Sequence, residues 1–138
     1  MGTIQHHTVI ATTWYDDYFV EVKRWVMHLD GAHQKLFIFQ THSLSNGYLT
    51  VVLTPDGSKE GWASSDEGDG LRDRFLAKLR EFDYGDGSNP WTVVEVSFGE
   101  LGAYVVRTLN INEEELTPPV GRSPVRPSSP RYVNQEMT

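Results

Sequence analysis

Residues 53–82 read LTPDGSKEGWASSDEGDGLRDRFLAKLREF, and the way this stretch divides decides the fold. A β-branched run ends at Pro55-Asp56-Gly57, a turn signal. A polar loop carrying Lys59 and Trp62 follows. Leu71, Phe75, Leu79 and Phe82 then recur at helical spacing with Leu76 beside them, which predicts an amphipathic helix behind the loop. A strand, a glycine-containing loop and a helix in that order form a unit whose loop is a natural place for a ligand pocket.

Upstream, Thr3 to Thr13 has the β-branched content of a first strand. Tyr18, Val22, Trp25, Val26 and Leu29 fall on one helical face, with Asp16 and Asp17 as caps and Thr13-x-x-Asp16 as a weaker capping candidate. Asp30-Gly31 stops that helix. Lys35 to Ser43 reads as a second strand, and Asn46-Gly47 as a hairpin turn into Tyr48 to Thr54. Downstream, Asp83 to Pro90 is a loop rich in Gly, Asp, Ser and Asn. Trp91 to Phe98 and Ala103 to Leu109 are the last two strands.

The order β-α-β-β-α-β-β predicts an α+β domain: a mainly antiparallel sheet with two helices on one face, ferredoxin-like with an added strand. The domain spans residues 1–112. Residues 113–138, with five prolines between Thr117 and Arg131, read as a Pro-rich, disordered tail.

Leu36 and Ile38 oppose Phe37 and Phe39, and Val93 opposes Val94, Val96 and Phe98. A sheet face turned to water should be polar, yet here both faces are apolar. A partner subunit covering the open face is the simplest account, so a homo-oligomer, dimer or higher, is expected.

Composition bounds the chemistry. The chain has 138 residues, no cysteine and a formal charge of −7. Disulfides and thiolate metal sites are excluded, and scattered basic residues argue against a nucleic acid polymer as partner. No leading signal and no long apolar run is present, so the expectation is a cytoplasmic protein with no membrane partner. The histidines (His6, His7, His28, His33 and His42) show no zinc spacing, and Asp66 to Gly70 departs from a calcium loop and caps the next helix instead, so neither metal nor cofactor is expected. His6-His7-Thr8 contains one H-x-T, half of the paired motif of two-histidine phosphoesterases. The other half is missing, since His42-Ser43-Leu44 ends in Leu.

Arginines and aromatics are the better binding candidates. Arg107 sits on the last strand beside Val105 and Leu109, where a charge needs an anion or an ion pair with a neighbour such as Glu95. Arg24, on the first helix, is by default solvated. Phe82, Tyr84 and Trp91 flank the Asp83–Pro90 loop, where aromatic faces can stack a base.

His6-His7-Thr8-Val9-Ile10, Asn46-Gly47-Tyr48, Asp56 to Trp62 with Ser65-Asp66 and Gly68-Asp69, Trp91 to Val96 and Val105-Val106-Arg107 together resemble the first type of phage Thoeris anti-defence protein. The resemblance covers residues 3 to 110. It implies a non-enzymatic sponge in the host cytoplasm that sequesters cyclic ADP-ribose-type signals of TIR-domain enzymes, and in some members cyclic oligonucleotides. It also implies ligand contacts at Arg107, Asn89, Phe82 or Tyr84, and Arg24, with Lys59 and Trp62 at a second site. The alternatives are an enzyme acting on cyclic nucleotides through His6 or His7, or a protein-interaction module without a small ligand.

Overall fold

A computed structural model describes residues 3–58 and 63–111. Lys59, Trp62 and the 113–138 tail therefore lie outside the described residues. The strands are β1 (Gln5–Thr13), β2 (Phe37–Gln40), β3 (Leu49–Leu53), β4 (Trp91–Gly99) and β5 (Gly102–Leu109). The helices are α1 (Asp16–Met27), α2 (Gly31–Gln34) and α3 (Ala63–Arg80). One antiparallel sheet runs β2-β3-β1-β4-β5, which is the ferredoxin-like order with β5 added beside β4.

The alternation along the strands fixes what faces the helices. Val9, Ala11, Val51, Leu53, Trp91 and Val93 point to one side and are fully or almost fully buried. They pack with Phe19, Val22 and Val26 of α1 and with Leu71, Phe75, Leu76 and Leu79 of α3. Tyr18, Trp25, Leu29 and Phe82 close the rim. Burial of a Leu- or Phe-sized side chain contributes roughly 1.5–3 kcal/mol, so this single core accounts for the sheet–helix packing.

Several local expectations change. α1 begins at Asp16 rather than Tyr18, with Tyr15 at the N-cap and no side-chain cap; Asp16 and Asp17 sit in the first turn, where they favour the positive end of the helix. Thr13 does not cap. Its hydroxyl donates to the Pro90 carbonyl at 3.0 Å and ties β1 to the loop before β4. Asp30 does not simply stop α1 but accepts from the His33 amide at 3.0 Å and so caps the short α2. β2 is shorter than Lys35–Ser43, because residues 41–48 form the loop in which Asn46 and Gly47 both take φ +66°.

The largest correction concerns α3. Asp66 to Gly70 is not an approach loop but part of the helix. Gly68 explains why. A Cβ there would stand 1.7 Å from the Asp56 carboxylate, so glycine leaves the space in which the Asp56 side chain lies against the helix. β5 also differs in register. Arg107 pairs with Glu95 but Val105 pairs with Val96, an irregularity that puts one extra β5 residue between the two pairs. Arg107 therefore lies on the helix-covered face with Glu95, and Val105 lies on the opposite face with Val96.

Candidate functional site

Two places hold the candidate residues. The first is a ladder of charges between α3 and the sheet. Glu95 is almost wholly buried on β4 and accepts from Arg107 Nε at 2.6 Å through one carboxylate oxygen. Its other oxygen lies 3.8 Å from Nε of the buried Arg72. Arg72 is further held by Asp69, one turn back on α3, and by Asp56 at 3.6 Å. Arg107 extends outward and donates from Nη1 to Asp73 at 2.8 Å. The order is Asp56–Arg72–Glu95–Arg107–Asp73, buried in the middle and open at its outer end, where Asp73 is 65 % exposed and Arg107 33 %.

The protonation of this ladder follows its contacts. Desolvation alone would lower the Arg107 pKa, but its hydrogen bonds to Glu95 and Asp73 outweigh that and raise it. Burial pushes the Asp56 carboxyl up; the hydroxyl and amide of Ser58 and the charge of Arg72 more than reverse this and hold it below its ordinary value. A carboxyl whose folded-state pKa is depressed contributes stability above its unfolded pKa and loses it as pH falls through the folded value. Asp56→Asn should therefore cost stability at neutral pH and converge on the parent protein at strongly acid pH. Thermal melts along a pH series read this directly.

The second place is the end of the sheet formed by Thr13, Leu49 and Trp91. Asn89 is buried and fully employed there: its Nδ2 donates to the Leu79 carbonyl at 3.0 Å and to Asp83 at 2.6 Å, and its Oδ1 accepts from the Trp91 amide at 2.7 Å. Asn110 closes on it by donating to its carbonyl at 2.9 Å. Asn89 thus pins the loop between α3 and β4. Asn89→Ala leaves the buried Trp91 amide unsatisfied, and a melting curve should show a loss of at least about 1 kcal/mol.

Phe82 is likewise structural, with its ring 5.1 Å from Tyr18 and 6.2 Å from Trp91. Trp91 is fully buried and presents no face for stacking. Tyr84 is different. It is exposed, and its phenol is raised above its ordinary value by desolvation, by a hydrogen bond and charge interaction with Tyr15, and by Tyr18 and Asp86.

Tyr15 leads to residues that no sequence pattern singles out. Trp14 to Tyr18 line an open cleft of about 350 Å³ where β1 turns into α1. Trp14 stacks on Tyr48 with centroids 5.5 Å apart and planes 13° off parallel, and its indole N–H donates to the Asn46 carbonyl. Tyr15 and Tyr18 meet at 5.2 Å. The available signal was positional: two adjacent aromatics between a strand and a helix, beyond the last buried strand residue. Asp16 and Asp17 make this cleft acidic, so it offers ring faces but no positive charge of its own.

The candidates are thus only partly assembled. Phe82, Tyr84 and Asn89 share the Trp91 end of the sheet. Arg107 stands opposite Glu95, four residues further along β4, which is roughly 13 Å at strand rise. Arg24 is exposed on α1, with its carbonyl bonded to His28. His6 and His7 point to opposite faces of the sheet, His6 packing on Phe98 at 5.2 Å. His42 lies beside the aromatic cleft, 3.4 Å from Asp16. Among the described residues, no group of three His, Asp or Glu could hold a metal ion, and no helix is long and apolar enough to cross a membrane.

No protein-family model matches the chain, and neither a curated protein nor a solved structure shows significant similarity to it.

Proposed function

We propose that the protein binds and sequesters a cyclic ADP-ribose-type signalling nucleotide without converting it, acting in the host cytoplasm as the resemblance to Thoeris anti-defence proteins implies. The observation that supports this is the way Arg107 is held. Glu95 fixes the guanidinium from the buried side through Nε, and the outer nitrogen Nη1 is turned to an exposed carboxylate. An arginine oriented from behind and offering its outer end at the surface is arranged for an anion. The Asp73 carboxylate oxygen occupies the place of a phosphate oxygen, and a pyrophosphate would displace it while Glu95 keeps the guanidinium aimed.

Incubation with a cyclic ADP-ribose isomer, heat denaturation and analysis of the released nucleotide test the reading. Intact nucleotide recovered in stoichiometric amount is the expected result. A linear product identifies an enzyme instead, and no captured nucleotide leaves the protein-interaction alternative. Asp73→Ala sharpens the test, because it frees Nη1 of its competitor. Calorimetric titration should show affinity for the nucleotide rising in Asp73→Ala. An unchanged affinity would separate the ligand from this end of the ladder.

A further inference from the structure

The polarity of the sheet is inverted. The face covered by helices holds Glu95 and Arg107, whereas the uncovered face carries no Asp, Glu, Lys or Arg at any described strand position. Fifteen strand residues point that way, and a chain with 22 % charged residues would place about three charges among them by composition. Thr8, Ile10 and Thr12 run down the central strand with Val94, Val96 and Phe98 beside them. Ile38 remains 56 % exposed, Val105 42 %, Phe98 41 % and Ile10 38 %.

We infer that this face is a self-association surface on which a second copy of the chain packs sheet to sheet about a two-fold axis. Its chemistry selects that occupant. The chain carries a net charge of −7, so two copies meeting elsewhere bring carboxylates together, while this surface lets them meet without like-charge repulsion. A basic or acidic macromolecule would find no counter-charge here. The strand edges are poor alternatives, because β2 is only four residues long and β5 carries the register irregularity. The extent suffices as well. Five strands about 4.8 Å apart, averaging about 23 Å in length, give a footprint of roughly 550 Å². That is of the order of the ~800 Å² of accessible surface per partner in stable complexes.

The geometry also places the axis. In a two-fold contact each patch meets itself, and an axis that buries the whole face passes near its centre. The central strand is β1, so Ile10 faces Ile10 of the second copy at close range.

Light scattering coupled to size exclusion at micromolar concentration tests this. The parent protein is expected at twice the chain mass or an even multiple of it. Ile10→Glu and Ile10→Lys should each halve the assembly, and an equimolar mixture of the two should restore it as a heterodimer. Circular dichroism establishes that the variants are folded; if Ile10 variants are not, Ile38→Glu at a more exposed position takes their place. A monomeric parent protein overturns the inference, and so does a folded Ile10→Glu or Ile38→Glu variant that assembles like the parent. A mixture of Ile10→Glu and Ile10→Lys that stays monomeric overturns the central axis.

Discussion

Arg72→Met should lower folding stability by roughly 3–5 kcal/mol, the cost of removing one member of a buried ion pair. The guanidinium is almost completely buried and is the common neighbour of Asp56, Asp69 and Glu95. Met keeps most of the apolar stem and removes the charge, so the loss reports electrostatics rather than a cavity. Glu95 would then be buried with Arg107 alone, and Asp56 would lose its cation beside Gly68. At about 4 °C per kcal/mol for a domain of this size, the melting temperature should fall by upwards of about 10 °C. Asp69→Asn makes the contrast, since Asp69 is more than half exposed and its pairing is screened by water. If Arg72→Met and Asp69→Asn melt alike, the ladder contributes little to holding α3 on the sheet.

Arg107→Ala has two separable consequences. In the empty protein it removes a charge-assisted hydrogen bond from the buried Glu95, which costs on the order of 1.5–3 kcal/mol. The melting temperature should therefore drop without any ligand present. If the protein binds nucleotide as proposed, the same change also removes the outer nitrogen that would hold the phosphate. Affinity should fall roughly ten- to a hundredfold, because about 1.4 kcal/mol is a factor of ten. The sequence pattern alone offered two exclusive accounts, an ion pair with Glu95 or an anion clamp. In the structure Nε serves the ion pair and Nη1 donates to Asp73, whose place the proposed nucleotide would take, so the two accounts are compatible. A destabilised Arg107→Ala protein with unaltered nucleotide affinity would leave only the ion pair.

Much of the architecture is legible in the sequence because period and punctuation agree. Alternation from Val9 to Thr13 and from Trp91 to Ser97 matches the buried face, and Leu71, Phe75 and Leu79 fall where α3 meets the sheet. What escaped is set by contacts distant in sequence. Glycine at 68 and 70 reads locally as loop, yet both lie inside α3, with the Asp56 side chain against Gly68 and paired with Arg72. The extra β5 residue at the register shift moves Val105 off the face of Arg107, and a one-residue shift leaves no trace in composition. Asn89 and Phe82 have side chains suited to a ligand, yet buried hydrogen bonds and ring packing already engage them. Trp14 and Tyr15 do not stand out in the sequence because a strand-to-helix junction carries no periodic signal.

Gly68 bears on the order in which the chain folds. A helix opening with Ser, Asp, Glu and two glycines has weak propensity, each glycine costing about 1 kcal/mol relative to alanine. The segment from Leu71 onward can nucleate on its own apolar face. The segment before it gains its partner only when β3 has paired and delivered Asp56 to the notch at Gly68. Pulsed hydrogen exchange is therefore expected to protect the amides from Leu71 to Arg80 with the core and those from Asp66 to Gly70 afterwards, the chain's own loop serving as the template that finishes its longest described helix. Simultaneous protection of both halves would rule that order out.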